Sequence, residues 1–220
     1  MKRWKRVLLG IVALMMMVVV ALCIWQRSNI KALYTFLTLD SQTIAGNLEQ
    51  RRMDHQRALE EDIHLTVLPP TTVQSDALLS GQTTPEEVKE TLGITAQMEQ
   101  EKDEQTEEEL INRCVAELYA CKVDLMAELG GMKQAAVDQW LALPPEQQTE
   151  TAMRELGLAG LEDCYNLEVV IDAQVQDILD RYRPLLVDAG GDTSILEKLW
   201  NYYEAEKTDE KAYYMDKYLR

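Results

Sequence analysis

Few side chains in this sequence carry chemistry, so their spacing is weighed first. The 220 residues hold two histidines, His55 and His64, and four cysteines, Cys23, Cys114, Cys121 and Cys164. A histidine acting as a general base needs a nucleophile in reach and a third group to orient it. Neither histidine stands near a serine or cysteine in such a context. Glu61-Asp62-Ile63-His64 has the Glu-x-x-His spacing of a di-iron helix, but it occurs once and a di-iron bundle needs two copies with two further glutamates. The sequence has no zinc-ligand spacing, no phosphate-cradling glycine loop and no Gly-x-Ser-x-Gly elbow. No catalytic, cofactor-binding or metal-ligating residue is assigned, and the chain reads as a non-enzyme.

The cysteines have a different use. Cys23 falls in an apolar run, whereas Cys114, Cys121 and Cys164 lie on helical seams, where a thiol is a small hydrophobe. Cys114 and Cys121 are seven residues apart on one helix, a rise of roughly 10.5 Å, too far to join each other. Either could meet Cys164 across an antiparallel pair, so a Cys121–Cys164 or Cys114–Cys164 disulfide is the expectation for an oxidising compartment. Seven acids crowd residues 99–109 against one lysine. That run suits the first turn of a helix, and it lacks the glycine turn and ligand alternation of a calcium loop. Aromatic usage is skewed, with one phenylalanine and nine tyrosines, five of them from Tyr202 to Tyr218. Trp200, Tyr203, Tyr214 and Tyr218 form the candidate partner surface. The plainer role for these rings is to supply an aromatic core.

The element that would position all of this is Val7–Trp25, 19 residues with no charge and no Asn, Gln, Ser, Thr or Pro. As a helix it is roughly 28 Å long, close to the hydrocarbon thickness of a bilayer. It is longer than the apolar core of a cleaved signal peptide, and Ala21-Leu22-Cys23 is a poor cleavage site. Leu22 before Cys23 is too bulky for a lipoprotein signal. An uncleaved signal anchor needs neither feature. Lys2, Arg3, Lys5 and Arg6 precede the stretch and all 38 acids follow it, so the chain beyond it has 18 basic residues and a formal charge of −20. The positive-inside rule puts residues 1–6 in the cytoplasm and the rest outside, with Trp4 and Trp25 at the two headgroup layers. So acidic a domain repels phosphate backbones, and nucleic acid is not an expected partner.

Behind the anchor the composition favours helix: Gly and Pro are scarce, at ten and six, and Ala, Leu, Glu, Gln and Met are common. Ile30, Leu33, Tyr34 and Leu37 recur at helical spacing in a juxtamembrane helix over 26–39. Asp40 or Ser41 caps a second helix to about Asp62, with Ile44, Leu48, His55 and Leu59 on a thin stripe and Arg51 and Arg52 facing elsewhere. Asp62–Leu68 alternates apolar and polar residues and reads as a short strand or extended segment, ended by Pro69-Pro70. Thr84-Pro85-Glu86-Glu87 is a capping box with proline at the first helical position, and Gly93 stops that helix.

Two longer seams follow. Ile111, Cys114, Leu118, Cys121 and Leu125 keep 3-4 spacing on a helix expected from Leu110 to Gly130-Gly131. A shorter helix, Met132–Leu143, with Val137, Trp140 and Leu141 inward, and another from Pro144 to about Leu156 come next, with Gly157 and Gly160 as breaks. Leu161, Cys164, Ile171, Val175, Ile178, Tyr182 and Leu185 continue the pattern to Gly190-Gly191, with Pro184 expected to kink or divide the helix. A last helix, capped by Asp192 or Thr193, runs from Ser194 to about Leu219.

The expected fold is all-α: cytoplasmic tail 1–6, transmembrane signal anchor 7–25, membrane-proximal helical stalk 26–93, and an acidic antiparallel helical bundle over 94–220. In layout alone this resembles small bitopic envelope proteins of bacteria, including coiled-coil subunits of division complexes. The expected role is a membrane-anchored adaptor, scaffold or assembly component. Its partners would be the bilayer, through 7–25, and a protein or a second copy, through its helical surfaces. The competing expectation is a secreted or anchored binding module for a small ligand or a cell-envelope polymer.

Overall fold

The computed structural model describes residues 27–61, 64–99 and 106–219. The stretch 7–25 lies outside them, and among the described residues no helix is long and apolar enough to cross a membrane. The described chain is helical, with no strand: α1 (Arg27–Thr38), α2 (Ser41–Glu60), α3 (Thr72–Leu79), α4 (Pro85–Thr91), α5 (Ile94–Met98), α6 (Glu107–Ala142), α7 (Glu150–Asp188) and α8 (Ser194–Leu219).

Helix starts follow local side-chain chemistry. Asp40 accepts the backbone N–H of Thr43 at 3.0 Å and its hydroxyl at 2.7 Å, closing the start of α2. Reciprocal capping boxes open α3 (Thr71 with Gln74), α4 (Thr84 with Glu87) and α6 (Thr106 with Glu109). Each satisfies donors that a helix start leaves unpaired. Gly93 adopts φ 75° between α4 and α5, a conformation that L side chains rarely tolerate.

Two expected breaks are absent. Helix α6 runs unbroken through Gly130-Gly131, because Gly130 serves close approach rather than termination. A Cβ there would lie 2.8 Å from the carbonyl oxygen of Leu78 and 3.1 Å from Leu79 Cα, so the end of α3 rests directly on the helix. Helix α7 starts at a Thr149 cap and continues for 39 residues through Gly157, Gly160 and Pro184. Pro184 therefore does not divide it. Residues 143–149, with a short 3-10 turn at Pro145–Gln147, separate the two long helices.

The chain forms two compact units, and they differ from the expected 26–93 and 94–220 division. One is Met1–His55 with Asn201–Arg220, of which residues 27–55 and 201–219 are described. The other is Gln56–Trp200. In the second, α6 and α7 are antiparallel: Glu107 meets Asp192, Glu117 meets Arg181, and Cys121 meets Gln174. Helices α3, α4 and α5 also pack on α6. The core is apolar, with Ile111, Cys114, Val115, Val123, Ile171, Val175, Leu179 and Leu186 buried. In the first unit Ala32, Ile44 and Ala212 are buried together, with Leu39 and Tyr213 packed against them.

Residues 64–71 are extended without a partner strand. Their polar groups are met by the Asn112 side chain and by a backbone carbonyl instead. The buried Asn112 accepts the Thr66 N–H at 2.7 Å and donates to the carbonyls of His64 and Glu108 at 2.9 and 3.0 Å. The Leu68 N–H donates to the carbonyl of Leu92 at 3.1 Å.

Candidate functional site

The candidate residues fall into three places: an ion cluster in the first unit, the thiol-bearing seam of the second, and the far end of the α6–α7 hairpin.

In the first unit α2 presents Arg52 inward, contrary to the expectation that it faces elsewhere. Its side chain is 5% exposed. Nε donates to Glu206 Oε1 at 2.7 Å, one terminal nitrogen donates to Glu210, and the other reaches Glu49 at 3.3 Å. One residue earlier on each of the two helices, Arg51 pairs with Asp209. Burial alone would lower the Arg52 pKa. The carboxylates of Glu210 and Glu206 outweigh it, so the guanidinium is held charged more firmly than a free one. A guanidinium fork met by several carboxylates is the geometry in which a buried charge is tolerated.

His55 is half-buried and stacked on Tyr202, with ring centroids 4.1 Å apart. Burial holds its pKa below the usual histidine value, while the carboxylate of Glu206 pulls the other way. His64 is exposed on the extended segment, where its carbonyl, not its ring, is used by Asn112. The structure brings the two histidines to different units. Among the described residues no group of three or more His, Cys, Asp and Glu side chains is arranged to hold a metal ion.

Cys114, Cys121 and Cys164 are free thiols. The expected Cys121–Cys164 or Cys114–Cys164 bridge is not formed in this structure, and the register gives the reason. The Cys121 sulfur lies 3.5 Å from Gln174 Oε1. Cys164 is ten residues earlier on the same helix, roughly 15 Å away along its axis, far beyond disulfide reach. Burial pushes the Cys114 thiol far up and Cys121 up to about 11, with nearby Glu117 and Asp124 adding to it. Burial and Asp163 raise Cys164 as well. These are protonated thiols at neutral pH, poor nucleophiles and poor metal ligands. Beside Cys114, Glu117 accepts from Arg181 at 2.6 Å and from the Tyr182 hydroxyl at 2.7 Å, tying α6 to α7.

Of the expected partner surface, Trp200, Tyr203 and Tyr214 are half-buried rather than projecting. Lys207 lies over the Tyr203 ring at 4.9 Å, and Tyr214 meets Tyr213 edge-on at 5.1 Å. The side chain of Tyr218 lies outside what the structure describes. More open apolar surface sits on the hairpin. From residue 127 to residue 166 no described side chain is buried, although both helices persist. That is roughly 24 Å of paired helix beyond the last buried residue of α6. It carries Val137, Leu141 and Tyr165, which are 42%, 59% and 39% exposed. Sequence periodicity assigned these residues to inward faces or left them unremarked.

Compared with known family models, curated proteins and solved structures, the chain matches none.

Proposed function

We propose that this protein is a single-pass membrane-anchored scaffold or adaptor that acts by contact rather than by chemistry. Its residues 1–6 lie in the cytoplasm, residues 7–25 span the bilayer, and the acidic helical domain faces the extracytoplasmic side. The observation that carries the adaptor reading is the hairpin end of α6 and α7. It extends past the buried core of its unit and exposes Val137, Leu141 and Tyr165. Helices this long are rarely stable without burying one face, so a second protein surface there would supply the missing burial. The protonated, unactivated thiols and the separated histidines support a non-enzymatic role. The anchor reading is supported by the length of the uncharged stretch and by the four basic residues before it.

Crosslinking in native membranes followed by mass spectrometry tests the proposal. One protein, or a second copy of this chain, should be recovered in stoichiometric yield. The yield should fall about tenfold in a Val137→Asp/Leu141→Asp variant, the cost of placing charge in an apolar contact. Recovery of no stoichiometric partner, or of one indifferent to the double substitution, would overturn the adaptor reading.

A further inference from the structure

Helix α1 has two unlike faces. On one, Ala32 is fully buried against Ile44 and Ala212, and Asn29 accepts a hydrogen bond from Lys211 at 2.6 Å. On the opposite side stand Ile30, Leu33, Tyr34 and Leu37, at the i, i+3, i+4, i+7 spacing of a single stripe. They are 49%, 48%, 68% and 68% exposed. A surface helix ordinarily turns such a stripe toward its own core. Here the core is met by an alanine and an asparagine, and the bulky apolar residues face out.

Charge separates α1 from the rest of the chain as well. Arg27 and Lys31 are its only charged residues, whereas all 38 acids lie at or after Asp40. The first described residue of the helix, Arg27, is two residues after Trp25, the end of the uncharged stretch.

We propose that the Ile30–Leu33–Tyr34–Leu37 face of α1 lies on the membrane surface, its apolar side chains in the boundary between headgroups and acyl chains, with the exposed Lys31 meeting anionic headgroups. The proposal rests on the reading of 7–25 as a membrane anchor. A tether this short keeps α1 near the bilayer. An apolar stripe flanked by cations is the composition that binds there, and a tyrosine suits the headgroup layer. The acidic remainder of the chain is repelled by anionic lipid, so α1 is the one described helix whose charge and apolar face both favour it.

The test uses the full chain reconstituted into vesicles of phosphatidylethanolamine and phosphatidylglycerol. A photoreactive diazirine side chain is placed at position 33, 34 or 37, or at half-buried position 36 as the comparison. Lipid adducts at 33, 34 and 37 should exceed those at 36 by about tenfold. They should fall several-fold in a Lys31→Gln variant or in wholly zwitterionic vesicles. Protein–protein adducts at 33, 34 and 37 would make the face a self-association surface and overturn the proposal, as would lipid labelling no higher than at 36. Extraction of the same vesicles at alkaline pH separates the two readings. Release of the chain would overturn the anchor and this proposal with it. Retention without lipid adducts would overturn the α1 proposal alone.

Discussion

The two units of this protein are held together by different means. In Gln56–Trp200 the α6–α7 pair buries a ladder of Ile, Val and Leu, and its polar contacts, such as Glu117 with Arg181 and Tyr182, sit at the margin. In the other unit the buried apolar residues among those described are Ala32, Ile44, Leu48 and Ala212, and the contact between α2 and α8 is made around Arg52, Glu206 and Glu210. An apolar core is stabilised in proportion to the area it removes from water and tolerates local change. A buried ion cluster adds little over an apolar replacement, yet it fails badly when one member is removed. The first kind of unit should lose stability in small steps, and the second abruptly at a single residue.

The largest effect is therefore expected from Arg52→Ala. It takes the shared cation from Glu206 and Glu210, whose side chains are 19% and 10% exposed. Breaking a buried pair in this way costs about 4 kcal/mol. Hydrogen exchange should show protection lost over residues 27–55 and 201–219, with the amides of α6 and α7 unchanged. Equal loss in α6 and α7 would mean that the two units do not differ as argued. Ile111→Ala is the counterpart in the second unit. Ile111 is 2% exposed, and its truncation should cost about 3 kcal/mol, read as faster exchange along α6 and α7.

Two neighbouring glycines sharpen the contrast on a finer scale. Gly130→Ala would drive a methyl group into the backbone of Leu78 and Leu79. Overpacking against backbone should cost about 1–2 kcal/mol even after the gain in helix propensity. At Gly131 nothing lies within 4 Å of a built Cβ, so Gly131→Ala should stabilise by up to about 1 kcal/mol. Thermal unfolding of the two variants should move in opposite directions. Movement in the same direction would remove the account of why α6 passes through both residues.

That account also shows which parts of the fold were legible in sequence. Local chemistry was: the Thr84–Glu87 box, the Asp40 cap and the stop at Gly93 all follow from side chains within four residues of one another. The Thr106–Glu109 box carries the same signature and was hidden only because an acidic run reads first as charge. Apolar periodicity placed Ile44, Leu48 and Leu59 inward on α2 and Ile171, Val175 and Ile178 on α7. It failed where burial is polar, as at Arg52 and Asn112, since a charged or amide side chain inside is betrayed only by partners distant in sequence. Glu206 and Glu210 are more than 150 residues from Arg52. It failed likewise at Gly130, where the reason for a glycine is the backbone of α3. Spacing of cysteines along single helices could not fix the register between helices, which leaves Cys164 beyond the reach of Cys121.

The smallest effect expected is also the one that tests the ion-held unit most directly. His55 is stacked on Tyr202 within reach of Glu206, Asp209 and Asp54 on its acidic side and of Arg51 on its basic side. Burial, partly offset by Glu206, lowers its pKa in the folded state. The unfolded chain therefore takes up the proton first as pH falls. The contribution of His55 to stability is complete above the ordinary histidine pKa of about 6.5 and is lost as pH descends from there through the lowered folded value. Because the ring is only half-buried, water screens much of this, and the change should be modest. Exchange over residues 27–55 and 201–219 should quicken as the pH is brought below about 6.5, after correction for the intrinsic rate. His55→Gln should remove that part of the pH dependence while keeping the Arg52 cluster intact. A pH profile unchanged by His55→Gln would assign the acid sensitivity of this unit to its carboxylates alone.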